Sequence, residues 1–308
     1  VTGGKKGIGK GIVLSLAKEG AIPVVIDRNP IDEDFESALR AVCEDFSYFT
    51  LDLRDTDRIQ SVVDEVVGKY GSLYGVVNNA GANDNLGLED TSWEQFEESL
   101  HANLTHYYEL VRAALPHLKK SSGSILNIGS KTALTGQGHT SAYAAAKGAI
   151  LGLTREWAAA LAKDNVRSNA IIVAEAWTPL YEKWITSFGD EDAQKARLNE
   201  ITQNIPLGAR MTSVDEIADT AVFVLSPRSS HTTGQWIHVD GGYVHLDRAL
   251  QQEGGRELST LDIIDSHFHQ WNLEKQTLPW LEAEPAALRR SFSVHELMRQ
   301  YEQIDDVR

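Results

Sequence analysis

The sequence predicts an α/β fold over about its first 240 residues: a doubly wound parallel sheet with helices on both faces. Short β-branched runs alternate there with longer amphipathic stretches, the order expected of strands and helices in such a sheet. A glycine-rich turn at residues 3–9 and a carboxylate at Asp27 each follow a predicted strand. Ligands of doubly wound sheets bind at the carboxyl ends of the strands, so functional residues are expected in these loops.

The predicted elements follow from residue type and spacing. The stretch 10–19 is predicted to be a helix because its apolar residues, among them Ile12 and Leu16, share one face at a period of 3.6 residues. Short apolar runs bounded by turn residues predict six strands after the opening one, at 22–26, 46–51, 73–77, 123–128, 167–173 and 235–239.

Composition limits the classes of partner and the compartment. Among 308 residues, 29 Lys and Arg stand against 44 Asp and Glu, a formal net charge of −15. This surplus of acid repels phosphate backbones and anionic lipid, so neither nucleic acid nor membrane partners are expected. Cys43 is the single cysteine, which excludes an internal disulfide and favours a reducing, cytoplasmic location. The chain starts at Val1, without Met and within a predicted strand, so residues that precede it are expected to be missing, and an N-terminal targeting segment could be among them.

A change in composition after Tyr243 predicts a domain boundary. Residues 1–249 are assigned to the α/β domain, and residues 250–261, with paired glycines and no apolar periodicity, to a linker. Residues 262–308 hold one predicted strand and one predicted helix, too little to bury a core alone. They are therefore predicted to be the start of a larger domain.

The glycine-rich turn is a candidate dinucleotide site. Gly3, Gly7 and Gly9 permit a tight turn and close approach of the backbone to a pyrophosphate at a helix N-terminus. Asp27 can accept hydrogen bonds from an adenosine ribose and would repel a 2′-phosphate, which favours NAD over NADP. A plain structural turn with a solvated carboxylate is the alternative. NADP stays open because three cations are near in sequence: Lys5, Lys6 and Arg28.

Tyr143 and Lys147 are a candidate catalytic pair. Their spacing of four residues puts both side chains on one face of a helix. An ammonium beside a phenol favours the phenolate, which would lower the pKa of Tyr143 towards the range of a general base. A half-buried aromatic residue beside a surface lysine is the alternative when the pair stands alone.

Five motifs occur in the order that is typical of the classical short-chain dehydrogenase/reductase family, and residues 1–246 resemble that family. The motifs are TGGKKGIG at 2–9, NNAG at 78–81, Asn103, Ser130, and the pair Tyr143 and Lys147. The resemblance implies a Rossmann-type fold and an oxidoreductase that uses a nicotinamide cofactor.

The same resemblance implies roles for individual residues. Tyr143 would be the general base, Ser130 would donate to the reacting oxygen, and Lys147 would hold ribose hydroxyls and tune Tyr143. Asn103 would anchor a water in a proton relay. The cofactor would contact Gly3, Lys6, Gly7, Ile8, Gly9, Asp27, Asp52, Leu53, Asn79, Ala80, Gly81, Lys147 and Thr178.

The chain departs from the family where a Pro-Gly pair usually follows the sixth strand, and it carries VAEAWTP at 173–179 instead. Glu175 can accept two hydroxyl hydrogen bonds and Trp177 can pack on the C–H face of a sugar, so a polyol substrate is predicted. A surface charge and a packing residue are the alternative. Four further candidates for the substrate cavity are Asn83, Lys131, Gln137 and His139.

Three stretches resemble the L-fucose dehydrogenase branch of the family: SKTA with GQG at 130–138, the departure at 174–175, and the ending at 231–248. That resemblance implies oxidation of an aldose at its anomeric carbon to an aldonolactone. Family members are commonly homotetramers, so the resemblance also implies a homotetramer.

The residues after the linker carry a separate signal. His267 and His269 alternate on a predicted strand, so both imidazoles point to one face and could bind one divalent metal. The surrounding IIDSHFHQW at 263–271 resembles the first strand of a sugar-lactonase-type amidohydrolase, a (β/α)8 barrel of which only a fragment is present. A chance pair of histidines is the alternative.

Two other functions stay open from sequence. One is a dehydrogenase of the same fold that acts on another alcohol or on a 3-oxoacyl thioester. The other is a non-catalytic sensor that binds a dinucleotide without turnover. Ser130, Tyr143 and Lys147 together favour catalysis, because a pure binder does not need an activated phenol.

Overall fold

The computed structural model of the protein describes residues 1–246. The predicted domain end at 249, the linker at 250–261 and the barrel fragment at 262–308 with its candidate metal ligands lie outside the described residues. Within the described part of the chain, no helix is both long and apolar enough to cross a membrane.

Residues 1–246 contain six strands and nine α-helices. The strands are β1 (Val24–Asp27), β2 (Ser47–Thr50), β3 (Gly75–Asn78), β4 (Ser124–Ser130), β5 (Arg167–Val173) and β6 (Trp236–Val239). The helices are α1 (Gly7–Lys18), α2 (Glu33–Arg40), α3 (Ile59–Tyr70), α4 (Trp93–Leu100), α5 (His106–Ser121), α6 (Ser141–Leu161), α7 (Pro179–Thr186), α8 (Glu191–Thr202) and α9 (Val214–Leu225). A π-helical turn, His101–Thr105, joins α4 to α5.

The strands are parallel and their order reverses at residues 1–3. β1 pairs with β2, and β3, β4, β5 and β6 pair in sequence order. Thr2 bridges the two sets, because it pairs with Ile26 and its N–H donates to the Val77 carbonyl oxygen at 3.0 Å. The spatial order is therefore β2, β1, residues 1–3, β3, β4, β5, β6. A crevice for a ligand is expected at the carboxyl edge where this order reverses.

Apolar side chains cover both faces of the sheet. On one face, Val63 of α3 and Val111 of α5 pack in a cluster with Ile125 of β4. On the other, Ile12 of α1 and Ala221 of α9 belong to a cluster that includes central strand residues. These two layers confirm the predicted doubly wound α/β fold.

Strand boundaries differ from the sequence prediction by a few residues, for local reasons. β5 coincides with the predicted 167–173. β1 begins at Val24 rather than at residue 22, because Pro23 has no N–H for a strand ladder. β4 continues to Ser130, which therefore ends a strand instead of lying in the loop after it.

Buried amides fix the centre of the sheet to the helix that carries the candidate catalytic pair. Asn78 Nδ2 on β3 donates to Asn127 Oδ1 on β4 at 3.0 Å. Asn127 Nδ2 in turn donates to Thr154 Oγ1 on α6 at 3.0 Å. All three side chains are fully buried, where an unpaired amide is costly. The network therefore sets the position of α6 over the strands.

Arg167 is a buried cation that donates hydrogen bonds to carbonyl oxygens at the C-terminal end of α9. Its Nη1 donates to the Val224 carbonyl oxygen at 2.6 Å and to Ser229 Oγ at 2.8 Å, and its Nη2 donates to the carbonyl oxygens of Leu225 and Ser226. The last carbonyls of a helix have no partner within it, and a cation near them also opposes the helix dipole. Arg167 thus joins β5 to the C-terminus of α9.

We expect Arg167→Met to lower the free energy of unfolding by about 3 kcal/mol, because it leaves buried carbonyl oxygens without donors. Urea unfolding followed by circular dichroism measures the change. Arg112→Met, which removes an exposed ion pair with Glu109, is the matched control and should change stability by about 0.5 kcal/mol or less. Equal losses in the two variants would contradict the assigned role.

Candidate active site

The glycine turn packs directly against the end of β3. Thr2 Oγ1 accepts from the backbone N–H groups of Asn79 at 2.9 Å and Ala80 at 3.0 Å, and Asn79 Nδ2 donates to the Thr2 carbonyl oxygen at 2.9 Å. A side chain at Gly9 would overlap the Gly3 carbonyl oxygen and lie 2.6 Å from Asn79 Nδ2. The glycine turn and the loop after β3 are therefore in direct contact, and only glycine fits at position 9.

The first turn of α1 offers backbone N–H groups for an anion. Lys6 precedes the helix without a capping hydrogen bond from its side chain, and the first turn carries no acidic residue. Gly3 and Gly7 have positive φ angles of 60° and 55°, which glycine adopts without strain. A Cβ at Gly7 would lie 3.8 Å from Thr178, so the turn and the start of α7 face each other. Ile8 follows within this turn, half-buried.

Hydrogen bonds from backbone N–H groups orient the Asp27 carboxylate at the end of β1. Asp27 Oδ2 accepts from the Lys5 N–H at 3.2 Å, and Oδ1 accepts from the Asn29 N–H at 3.0 Å. The Lys5 ammonium is engaged elsewhere, because Nζ donates to the Pro30 carbonyl oxygen at 2.6 Å and pairs with Asp32 at 2.9 Å. Asn29 Nδ2 also donates to Oδ1, at 3.2 Å. A carboxylate has about four acceptor positions, so Asp27 can still receive a ribose hydroxyl.

Asp52, the candidate adenine contact, is paired with an arginine. Arg54 Nη2 lies 2.7 Å from Asp52 Oδ2, and Arg54 Nη1 lies 3.0 Å from Glu98 of α4. The hydrogen bonds from Arg54 lower the pKa of Asp52 to about 2. Leu53, its neighbour, packs in the apolar core, and its contact with a cofactor stays a prediction. Asp52 is thus an anion of fixed orientation.

Asn103 lies in the π-helical turn and not in a regular α-helix as the sequence suggested. Its Oδ1 accepts from the Ala82 N–H at 2.9 Å, and its Nδ2 donates to the Ser99 carbonyl oxygen at 3.1 Å. The side chain therefore holds the loop after β3, next to Gly81, where an added Cβ would lie 2.8 Å from Oδ1. The amide of Asn103 is engaged on both of its polar atoms.

Ser130 and Tyr143 face each other, and the pKa of Tyr143 departs from expectation. Burial raises it to about 12, which a hydrogen bond with Ser130 partly offsets and the Asp84 carboxylate increases. The sequence led us to expect the opposite direction, from the Lys147 charge. That expectation is wrong for the protein alone, because desolvation of the phenolate outweighs the attraction. Thr132 Oγ1 donates to Ser130 Oγ at 3.0 Å and so fixes the serine.

Lys147 is buried to 3% exposure in the middle of this group. Its Nζ donates to Tyr107 Oη at 3.0 Å and to the Ile128 carbonyl oxygen at 2.9 Å. It lies 5.6 Å from the centre of the Tyr143 ring. Burial lowers the pKa of Lys147 to about 7. Removal from water thus disfavours the charged form of both members of the pair.

Lys131 and Glu175, two of the predicted substrate contacts, form an ion pair with each other. Their side chains are only 13% and 12% exposed. Glu175 also accepts from Tyr181 Oη at 2.8 Å, and the Lys131 ammonium lies 4.6 Å from the centre of the Tyr243 ring. The interpretation of Glu175 as a solvated surface charge is therefore wrong. Because Lys131 directly follows Ser130, the cluster adjoins the candidate catalytic residues.

Trp177 begins a row of four aromatic residues that runs along α7 and ends just after it, at Phe188. It is 38% exposed, and its ring centre lies 6.5 Å from that of Tyr181. Trp184 follows at 5.2 Å from Tyr181, and Phe188 at 4.9 Å from Trp184. Arg197 of α8 lies over the last two rings. Trp177 thus has partners on one side and an open face on the other.

The remaining substrate candidates lie in two exposed loops. Asn83 Oδ1 accepts from the Asn85 N–H at 3.1 Å, a local turn. Gln137 and His139 are exposed in the loop before α6, and His139 has a positive φ of 51°. A Cβ at Gly87 would lie 3.3 Å from His139 Nδ1, so the two loops meet. Contact of these side chains with a substrate stays a prediction.

Several residues at the site were missed by sequence reasoning. Tyr107 could have been noticed, because it is four residues after Asn103 and thus on a neighbouring helical face. Tyr181 had no such signal, because Glu175 lies six residues before it and outside α7. Asp84 gave no signal, and the motifs that contain Thr2 and Thr132 did not predict their contacts, because these contacts join distant parts of the chain or depend on backbone geometry.

The residues present fit a nicotinamide dinucleotide. The cradle around Gly9, the uncapped N-terminus of α1 and the oriented Asp27 carboxylate lie in series along the switch point of the sheet. A Cβ built at Gly81 would lie 3.8 Å from Lys147 Nζ, and one built at Gly7 would lie 3.8 Å from Thr178, so both residues adjoin the loops at this switch point. Among the described residues no group of three or more side chains could hold a metal ion.

Proteins of similar sequence include two with different substrates. The chain is 37% identical over 243 residues to the L-fucose dehydrogenase of Mus musculus. The match covers 79% of this chain and 86% of that protein. It is 33% identical over 247 residues to the 3-oxoacyl-(acyl-carrier-protein) reductase FabG of Thermotoga maritima, covering 79% and 96%.

Solved structures share the fold. The crystal structure of Cj0485 dehydrogenase matches with a TM-score of 0.79 at 52% identity, over 81% of this chain and 94% of that one. Carveol dehydrogenase from Mycobacterium avium, whose structure is a complex with NAD, matches with a TM-score of 0.72 at 25% identity, over 79% and 96%. Relatives of this fold therefore bind NAD.

We expect Gly9→Ala to weaken NADH binding at least tenfold, because the added methyl group displaces the turn from Asn79. Titration of the NADH fluorescence measures the dissociation constant. Gly68→Ala, on an exposed face of α3 with nothing within 4 Å, is the control and should bind NADH like the parent protein. Unchanged binding by Gly9→Ala would show that the nucleotide lies elsewhere.

A family model described as enoyl-(acyl carrier protein) reductase matches residues 3–244. The match spans the sheet, the glycine turn and the segments that carry Ser130, Tyr143 and Lys147. The relatives and solved structures cover the same part of the chain. The chain belongs to the short-chain dehydrogenase/reductase family of oxidoreductases.

Proposed function

We propose that this protein oxidises the anomeric carbon of an aldose of the L-fucose type to an aldonolactone, with NAD as the oxidant. The observation that carries the proposal is the buried ion pair of Lys131 and Glu175 beside Ser130. Charged groups that line a substrate cavity suit a ligand with many hydroxyl groups and penalise a long apolar one. The likeness to an L-fucose dehydrogenase supports the same substrate class.

The ion pair of Lys131 and Glu175 has unused hydrogen-bond donors and acceptors for a ligand. Each Glu175 oxygen has one partner, Lys131 or Tyr181, and each can accept a second hydrogen bond. The Lys131 ammonium has donors beyond the one that Glu175 uses. A sugar with adjacent hydroxyls can therefore donate to the carboxylate and accept from the ammonium in one orientation. That dual contact would fix which ring carbon faces Tyr143.

The reaction needs one proton acceptor and one hydride acceptor. When bound, the oxidised nicotinamide supplies the hydride acceptor. Tyr143 as phenolate takes the proton from the anomeric hydroxyl while the C1–H bond breaks, and the C1–O bond becomes the lactone carbonyl. Ser130 donates a hydrogen bond to the reacting oxygen. Lys147 holds the ribose hydroxyls and stabilises the phenolate.

Tyr143 is a poor base at neutral pH while its pKa is near 12. Positive charge close to the phenol favours the phenolate and therefore lowers this pKa. The cationic nicotinamide ring and the Lys147 ammonium are both available in the assembled complex. The base is thus activated only when the cofactor is in place, which limits side reactions of a phenolate in the open crevice.

NAD is the proposed cofactor because of the surroundings of Asp27. Its carboxylate lies where an adenosine ribose is expected and would repel a 2′-phosphate. Lys5, one of the two lysines within the glycine turn, is engaged by Asp32 and Pro30. It is therefore not free to bind a phosphate in compensation.

Reduction of a 3-oxoacyl thioester is the second candidate. The likeness to FabG favours it, and the description of the family model names a reductase of another acyl-carrier-protein substrate. The open aromatic row on α7, with Trp184 40% exposed and Leu180 74% exposed, would suit an acyl chain. The buried charges of Lys131 and Glu175 beside Ser130 argue against this substrate, since an acyl chain cannot satisfy them.

We expect NADH to form when the protein is incubated with NAD and L-fucose or its stereochemical relatives, and formation to be much slower with NADP. Absorbance of NADH measures this across a panel of free aldoses. Tyr143→Phe should abolish turnover while NADH binding changes little, because only the base is lost. Turnover of acetoacetyl thioesters but of no aldose would replace the proposal with the second candidate.

We expect Glu175→Gln to raise the KM for the aldose about tenfold or more, because a charged acceptor for sugar hydroxyls becomes neutral. Steady-state kinetics with saturating NAD measures this. Glu36→Gln, which weakens an exposed ion pair with Arg40 on α2, is the matched control. A lower melting temperature with an unchanged KM would make Glu175 a structural residue only.

A further inference from the structure

The ammonium of Lys147 lies between two tyrosine rings. Its Nζ is 5.0 Å from the centre of the Tyr107 ring and 5.6 Å from that of Tyr143. Tyr107 is fully buried, so no solvent reaches its hydroxyl. The mechanism above uses Tyr143 and leaves Tyr107 without a role.

The Tyr107 hydroxyl is at the centre of a closed hydrogen-bond group. Its oxygen accepts from Lys147 Nζ at 3.0 Å, and its O–H donates to the Ile128 carbonyl oxygen at 3.3 Å. Lys147 Nζ also donates to that carbonyl oxygen at 2.9 Å. An ammonium has three N–H donors, so two are fixed by the protein and one is left for a ligand.

We propose that Tyr107 is a positioning residue, which aims the third N–H of Lys147 at the cofactor and keeps this lysine protonated. The proposal rests on the role of Lys147 in the proposed function. Without the Tyr107 oxygen, Lys147 would keep one fixed acceptor and could rotate about it. With two fixed acceptors, the direction of the remaining donor is determined.

The Tyr107 hydroxyl also affects the protonation of Lys147. Burial already lowers the pKa of Lys147 to about 7, so the ammonium and neutral forms are comparably populated at neutral pH. An oxygen that accepts from the ammonium stabilises the charged form. Burial raises the pKa of Tyr107 well above its usual value, so Tyr107 stays a neutral phenol and cannot give its proton away.

The other titratable groups around Lys147 do not replace this acceptor. Tyr143 lies one turn before Lys147 on α6, and its pKa of about 12 keeps it neutral near pH 7 in the protein alone. His106 packs on the Tyr107 ring with centres 4.9 Å apart, and burial lowers its pKa to about 4, so it is neutral near pH 7. Asp84 acts on Tyr143 from the loop after β3 and raises its pKa.

The direction of the pH shift expected on loss of the Tyr107 hydroxyl follows from these groups. Loss of the Tyr107 oxygen lowers the pKa of Lys147 further, so the ammonium is lost at lower pH. The phenolate of Tyr143 then loses its cationic neighbour earlier in the titration. We therefore expect Tyr107→Phe to move the alkaline limb of the oxidation pH profile down by about one pH unit or more. At neutral pH, kcat should fall about tenfold.

The pH dependence of kcat for aldose oxidation, measured on Tyr107→Phe and on the parent protein, is the primary test. Tyr74→Phe is the matched control, because it removes a tyrosine hydroxyl that donates to the Leu225 carbonyl oxygen at 3.0 Å, far from the site. Its profile should superpose on that of the parent protein. A Tyr107→Phe profile that also superposes, with only a lower melting temperature, would make Tyr107 structural and overturn the proposal.

A double-mutant cycle on NADH binding gives a second readout that needs no substrate. If Tyr107 acts through Lys147, Tyr107→Phe weakens NADH binding in the parent protein and has no further effect in Lys147→Met. Equal losses in both backgrounds would refute the proposal. Because this measurement does not depend on aldose turnover, it separates failure of the Tyr107 role from failure of the proposed substrate.

Discussion

The contact between Thr2 and the end of β3 is the constraint on which the crevice depends. Thr2 joins the two halves of the sheet, and its hydroxyl accepts from two consecutive backbone N–H groups, those of Asn79 and Ala80. This contact brings the glycine turn against the loop after β3 and leaves no room for a side chain at Gly9. The anion site at α1 and the loop that Asn103 holds are both placed by this approach.

The electrostatics of the site follow from burial rather than from attraction within the catalytic pair. Tyr143 and Lys147 are shifted in opposite directions, the phenol upwards and the ammonium downwards, and both shifts favour the neutral form. In the proposed mechanism, the cationic nicotinamide reverses this balance for Tyr143. The protein would then supply geometry and a dry environment, and the assembled complex would supply the charge.

The sequence predicted those parts of the site that depend on local spacing. The fold class, the glycine turn, the Asp27 position and the shared face of Tyr143 and Lys147 all follow from residue type and period. It did not predict that Lys131 and Glu175 pair, since 44 positions separate them and only the sheet brings them together. Nor could it predict the direction of the Tyr143 pKa, because the cost of removing a phenolate from water is set by the packed surroundings.

The π-helical turn at His101–Thr105 constrains the length of this segment. Such a turn amounts to one extra residue in a helix, and each residue rotates a helix by about 100°. Losing one residue there would turn α5 relative to α4 and move Tyr107 off Lys147, while the composition of the core stayed the same. Length in this segment is therefore constrained as strictly as residue identity, and alignments that place a gap there would mark proteins with a different lysine environment.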